Sequence, residues 1–212
     1  MPIVTISRQY ASGGAEIAEA VAARLGATVI DRQFIDEVAQ RLGVPGEVVL
    51  EKDERGESLV TRLARSLRLS YPDLAMPPEM TTALFTDYQD IEDLPYTQVI
   101  EQLIRDAARG GNAVIVGRGG SFILKDDPRA LHVHTYAALP WRIETAIRRE
   151  GLDRATAERR IQETDRERAR YIKNLFKAEW ETLRHYHLLL DSGRLGIPTC
   201  VDLIVEAASR LG

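Results

Sequence analysis

Apolar residues along this 212-residue chain fall into two alternating patterns, short β-branched runs and longer stretches with a helical period. Ile3-Val4-Thr5-Ile6 is the first run, and Val, Ile and Thr suit a pleated, packed surface. Ser12-Gly13-Gly14 breaks it, and an alanine-rich helix is predicted from there to about residue 25. Residues 27–30 form a second strand closed by Asp31-Arg32. Phe34, Ile35, Val38, Ala39 and Leu42 then repeat at helical spacing until Gly43 and Pro45. Residues 46–69 are charged and helical in pattern, with apolar positions at Val49, Leu50, Leu59, Leu63 and Leu67. Residues 71–94 are the least regular, with Pro72, Pro77, Pro78 and the acidic Asp87, Asp90, Glu92 and Asp93, and read as a surface excursion. A helix over 97–108 stops at Arg109-Gly110-Gly111. Ala113-Val114-Ile115-Val116 is uninterrupted apolar, as in a strand buried on both faces, and Gly117-Arg118-Gly119-Gly120 follows it. A strand at 131–135, helices at 140–149 and 155–173, a strand at 187–191 and a helix at 199–211 complete the pattern.

Strands separated by helices predict an α/β fold with a parallel sheet covered on both faces. Ligands of such sheets sit outside the carboxyl ends of the strands. Ser7-Arg8, Asp31-Arg32, Gly117-Arg118 and Thr135 all lie just after strand runs, so several arginines converge on one rim. The length suits one well-buried domain. A formal net charge of −4 argues against general nucleic-acid binding, although arginine and lysine concentrate between Arg142 and Lys177. The single cysteine, Cys200, excludes an internal disulfide and suits a reducing compartment. No charged-then-apolar leader and no apolar run long enough to span a bilayer is visible, so a cytoplasmic protein is expected.

Three segments carry chemistry. Ser12-Gly13-Gly14-Ala15-Glu16 places a glycine turn and a helix N-terminus after a strand, a concavity of amides that suits a phosphate. The usual phosphate-loop pattern continues Gly-Lys-[Ser/Thr], with the lysine on the phosphates and the hydroxyl on magnesium. Here those positions hold Ala15 and Glu16. In the second segment, glycines around Arg118 let backbone approach a ligand while the arginine offers a planar fork to phosphate or carboxylate. In the third, Asp165-Arg166-Glu167-Arg168-Ala169-Arg170-Tyr171, helical spacing sets Arg166 and Arg170 on one face and lets Asp165 pair with Arg168.

Together with Tyr186-His187-Leu188-Leu189-Leu190-Asp191-Ser192-Gly193-Arg194-Leu195-Gly196, these blocks resemble the cytidylate kinase-like family, a branch of the P-loop nucleoside monophosphate kinases. The resemblance implies a three-layer P-loop sandwich with a five-stranded parallel sheet and a helical lid. It implies one kinase-like domain over 1–212, with an acceptor-binding helical region at about 31–94 and the lid at about 151–177. It further implies ATP with Mg2+ at Ser12, Gly13, Gly14, Ala15 and Glu16, and an acceptor, CMP or dCMP, near Asp31, Arg118, Gly119 and Asp165. Arg8, Arg166, Arg168 and Arg170 are then the cations of phosphoryl transfer. Small-molecule nucleotides are the expected partners, with neither nucleic acid nor membrane; a homodimer is left open.

Because Ala15 has neither charge nor reach, a nucleotide-binding sensor with little turnover is an alternative. An interaction protein docking a partner through 71–94 is another. The four histidines form two His-x-His pairs, His132/His134 and His185/His187, and alternate strand residues share a face. Metal binding by them is weighed against an ordinary packing role. Cys200 is expected as a small buried residue of the last helix.

Overall fold

The computed structural model describes residues 2–31 and 96–211, so the helix read through Phe34 to Leu42, the charged stretch 46–69 and the excursion 71–94 lie outside the described residues. Two compact units are distinguished, residues 1–29 with 111–212 and residues 30–110.

The first unit is built on a sheet of order β2-β3-β1-β4-β5. Its strands are β1 (Ile3–Arg8), β2 (Thr28–Ile30), β3 (Ala113–Val116), β4 (Ala130–Tyr136) and β5 (Leu188–Asp191). The central β1 pairs in parallel with β3 and with β4, and β4 pairs in parallel with β5. Helices α1 (Gly14–Leu25), α3 (Gly120–Ile123), α4 (Leu139–Glu150), α5 (Arg154–Phe176), α6 (Ser192–Leu195) and α7 (Ile197–Ser209) connect or follow the strands. Of the second unit, α2 (Tyr96–Gly110) is described. Its buried Ile100, Leu103, Ile104 and Ala108 recur at helical spacing.

Alternation along β1 decides what covers each face. Val4 and Ile6 join Val114, Val116, Leu131, Val133 and Leu190 in one apolar cluster with α1 and α7. Both helices turn a narrow stripe inward: Ile17, Ala18, Val21 and Ala22 from α1, and Cys200, Val201, Ile204 and Ala208 from α7. Cys200 is fully buried, and burial pushes its thiol pKa up, away from the reactive thiolate.

The opposite face is polar at its centre. Register places Thr5 beside His132 and Ser7 beside His134. The Thr5 hydroxyl meets His132 Nδ1 at 2.8 Å, and Ser7 Oγ meets His134 Nδ1 at 3.1 Å. Trp180 Nε1 donates to Ser7 Oγ at 2.8 Å, and the Tyr186 hydroxyl donates to Trp180 O at 2.6 Å. The segment after α5 thereby seals this face. The first His-x-His pair is thus a row of hydroxyl-paired core residues, and His187 stacks on His132 with ring centroids 4.9 Å apart. Among the described residues, no group of three or more His, Cys, Asp or Glu is placed to hold a metal. None of the described helices is long and apolar enough to cross a membrane.

Two segments differ from the sequence expectation. Gly120, read as part of a loop, already starts α3, because an ideal Cβ there would stand 2.9 Å from Ile115 Cγ2 and only glycine lets the turn lie so close to β3. Ser192 and Gly193, read as a turn after the last strand, form α6. Asp191 caps it by accepting from Arg194 N–H at 3.1 Å.

Burial lowers the pKa of both His132 and His134 to about 4. Both are therefore held neutral in the folded protein, whereas an unfolded histidine takes its proton near pH 6.5. The unfolded state binds more protons between those values, so stability is full above about pH 6.5 and falls as pH drops toward 4. Each histidine accounts for up to about 3 kcal/mol of that loss. Urea unfolding at pH 7.5 and at pH 5 should show a clear drop in midpoint at the lower pH, and a smaller drop for His134→Gln. A second prediction concerns Ala11, whose φ of 58° lies in the left-handed region. That conformation costs a residue with a Cβ about 1–2 kcal/mol, partly offset here by packing of the methyl group against the cluster of Ile143, Ala146, Ala157 and Ile161. Ala11→Gly should therefore raise the urea unfolding free energy by roughly 0.5–1 kcal/mol.

Candidate active site

The loop from β1 to α1 is built to present amides. Gly13 has a φ of 77°, and Ile17 N–H donates to Gly13 O at 3.0 Å. The amides of Gly14, Ala15 and Glu16 precede that bond and form the donor-rich first turn, at the positive end of the helix dipole. Ser12 is fully buried and shapes the loop from beneath: its hydroxyl donates to Gln9 O at 2.9 Å and lies 3.2 Å from Thr135 Oγ1. The Ser192 hydroxyl donates to Ser12 O and lies 3.0 Å from Tyr136 O, tying the loop to β4 and α6. Ala15 and Glu16 are exposed at the mouth.

Arg8 leaves the end of β1 and runs between two glycines. A Cβ on Gly14 would stand 2.5 Å from Arg8 Cβ and 2.9 Å from Thr135 Oγ1. A Cβ on Gly117 would collide with Arg8 Nη1. The side chain of Arg8 therefore joins the phosphate-type loop to the Gly117-Arg118-Gly119 turn after β3. That turn is left-handed throughout, with φ values of 74°, 50° and 74°. Arg118 lies beside Tyr171 of α5: burial raises the Tyr171 hydroxyl pKa, and the Arg118 charge and hydrogen bond pull it partly back.

One face of α5 runs along this rim. Tyr10 N–H donates to Asp165 Oδ1 at 2.7 Å, and Asp165 Oδ2 is ion-paired with the buried Arg142 of α4. Arg168 Nη1 donates to Arg8 O at 2.8 Å and lies 3.7 Å from Asp165, the pairing expected from their spacing. Burial lowers the Arg168 pKa from its very high ordinary value, with Asp165 opposing the shift. Phe176 packs directly over Gly119 and stacks on Phe122 at 5.3 Å. Arg166 and Arg170 stand exposed.

The end of α4 grips both ends of the loop. Glu150 accepts from the Tyr10 hydroxyl and pairs with Arg160, and Arg149 pairs with Glu16. The first unit thus assembles Arg8, Ser12, Gly13, Gly14, Ala15, Glu16, Arg118, Gly119, Asp165 and Arg168 around one rim. Asp31 closes β2 and belongs to the second unit. Sequence reading missed Thr135, Arg142, Arg149, Trp180 and Ser192. Thr135 was noted only as a strand end, and the others act across more than 20 residues of chain, with no local pattern to mark them.

The sequence model of the cytidylate kinase-like family matches residues 3–194. A cytidylate kinase from Methanopyrus kandleri is 30% identical over 103 residues, 45% of this chain and 53% of that protein. A uronate isomerase from Corynebacterium glutamicum is 31% identical over 109 residues, 50% of this chain and 20% of that protein. The chain therefore spans about half, or less, of the length of these curated relatives. Among solved structures, an uncharacterized protein from Eubacterium ventriosum matches with a TM-score of 0.65 at 19% identity over 99% of both chains. A shikimate kinase from Bacteroides thetaiotaomicron matches with a TM-score of 0.50 at 12% identity over 98% of both chains. These two likenesses show the fold, an α/β sandwich of the P-loop kinase type. The family match begins in β1 and ends in α6, taking in every element of the rim, and the chain belongs to the cytidylate kinase-like family.

Proposed function

We propose that this protein transfers the γ-phosphoryl group of ATP to a small nucleotide acceptor, CMP or dCMP, in the cytoplasm. The observation that carries this reading is the path of Arg8, which links an amide-lined loop to a second arginine-bearing turn. Two neighbouring anion sites are what phosphoryl transfer between two phosphates needs. In this reading the amides from Ser12 to Glu16 cradle the ATP phosphates, and Arg8 lies between donor and acceptor. Arg118 grips the acceptor phosphate with Gly119 allowing close approach. Arg168 faces the transferring group, and Arg166 and Arg170 join it from the exposed side of α5. Asp165 holds Arg142, Arg168 and the loop backbone in one arrangement, a positioning role. The chemistry is positioning and electrostatic stabilisation, with no covalent intermediate.

The loop amides and arginines fit the phosphates of a nucleotide. The magnesium-binding hydroxyl of the usual pattern is replaced by Glu16, which is engaged by Arg149. Magnesium would accordingly arrive with ATP, held by phosphate oxygens and water, and would neutralise charge between the phosphates. A second reading, a nucleotide-binding sensor with little turnover, rests on the exposed Ala15 at the lysine position.

A coupled assay with ATP and magnesium against CMP, dCMP, UMP and AMP, with calorimetry in parallel, tests the proposal. Turnover is expected with CMP or dCMP, and Arg118→Ala should lower it by at least about 100-fold, the scale of losing a charged contact to a transferring phosphate. ATP binding without turnover on any acceptor would move the assignment to the sensor. Gly117→Ala should also depress turnover strongly, because the added methyl takes the place of the Arg8 guanidinium. Circular dichroism on that variant should still report a folded α/β protein.

A further inference from the structure

A loop that lacks its lysine still needs a cation where the phosphates sit, and the fold brings one from elsewhere. Arg149, in the last turn of α4, is ion-paired through Nη2 with Glu16 Oε2. That same carboxylate oxygen lies 3.7 Å from the point where a Cβ on Gly13 would stand, so the pair sits directly over the glycine turn. The next residue, Glu150, accepts from the Tyr10 hydroxyl at the other end of the loop and pairs with Arg160 of α5. The backbone at the end of α4 is therefore held beside the loop by Glu150, and the Arg149 side chain is held over it by its pair with Glu16. Its side chain remains 31% exposed, and Ala15 and Glu16 beside it are exposed as well. A guanidinium carries several donors in a planar fork, and the Glu16 contact engages one nitrogen of it.

We infer that Arg149 supplies the phosphate-facing cation that position 15 lacks, with Glu16 serving as the arm that holds its guanidinium over the loop. This explains two departures at once. A carboxylate at position 16 standing alone would repel phosphate, whereas paired it orients a donor. An alanine at position 15 leaves room for an arginine that arrives from α4 rather than from α1. The inference rests on the nucleotide-binding reading above and concerns which residue meets the phosphates.

Calorimetric titration of the full chain with ATP, and separately with inorganic tripolyphosphate, is the test. Arg149→Met should weaken both ligands by about 10- to 100-fold, the scale of one charge-assisted hydrogen bond. Arg149→Met also bares the Glu16 charge, so the deciding comparison is Glu16→Gln against Glu16→Gln/Arg149→Met. A further loss of about 10-fold or more in the double variant supports direct contact. Equal affinities would show that Arg149 only neutralises Glu16, and would overturn the inference while leaving nucleotide binding intact. Ala15→Lys placed in the Arg149→Met background should recover most of the lost affinity, and no recovery would count against a shared role. If the wild-type protein binds neither ligand, the proposed function fails, and this inference with it. Thermal melting of each variant confirms that the fold is retained, as expected for substitutions at partly exposed positions.

Discussion

Arg8 ends the central strand, and its side chain runs through the space that two glycines leave. Its stem passes where a side chain on Gly14 would stand, and its guanidinium where one on Gly117 would stand. The start of α1 and the turn after β3 are therefore held at a distance set by one arginine. The sheet fixes where that arginine emerges: β1 is locked to β3 from Ile3 to Ile6 and to β4 from Ile3 to Arg8. Arg8's own carbonyl then accepts from Arg168, so the position of α5 is referred to the same residue. Loop, turn and helix are three elements distant in sequence, and they share one reference point.

Around that point an acidic chain concentrates positive charge. Arg8, Arg118, Arg142, Arg149 and Arg168 all reach the rim, and such crowding is tolerable only where carboxylates are interleaved. Asp165 lies between Arg142 and Arg168 and also takes the Tyr10 amide. Glu16 and Glu150 meet Arg149 and Arg160 at the end of α4. Removing Asp165 would leave two partly buried guanidiniums facing each other, a change expected to cost more than the attraction it removes. The reward is a set of donors fixed before any ligand arrives, which is the arrangement that stabilises developing charge most effectively.

Much of this was legible in the chain. The β-branched runs and the glycine breaks located each described strand within a residue or two, because strand burial on both faces leaves an unmistakable apolar run such as Ala113 to Val116. The glycine turns at 13–14 and 117–119 were legible as places where backbone must approach something. What they approach was not: Gly14 and Gly117 both accommodate Arg8, and Gly119 accommodates Phe176, and no local pattern encodes partners as distant in sequence as Arg8 is from Gly117 or Phe176 from Gly119. The face of α5 was equally hidden. Spacing alone offers Arg166 with Arg170 as readily as Asp165 with Arg168, and the choice is made by where the helix docks. The His-x-His pair looked like possible metal chemistry because the hydroxyls that occupy it, Thr5 and Ser7, come from the neighbouring strand β1, more than 120 residues away in sequence.

The missing lysine illustrates the same limit from the side of function. A local motif is one solution to placing a cation over a helix N-terminus, and it is the one a linear pattern can detect. The electrostatic requirement is only that positive charge sit within a few ångströms of the phosphates, in a site that water screens poorly. A cation from α4 meets that requirement as well as one from α1, provided the tertiary structure holds it there. Here the holding is done by paired contacts at Arg149 and Glu150, on a helix whose inner face is buried through Ile143 and Ala146. The cost is that the cation depends on the docking of α4, whereas a lysine inside the loop would be positioned by its neighbours in sequence. On the reading proposed for Arg149, the charge has moved along the sequence without moving far in space, which a linear motif does not register.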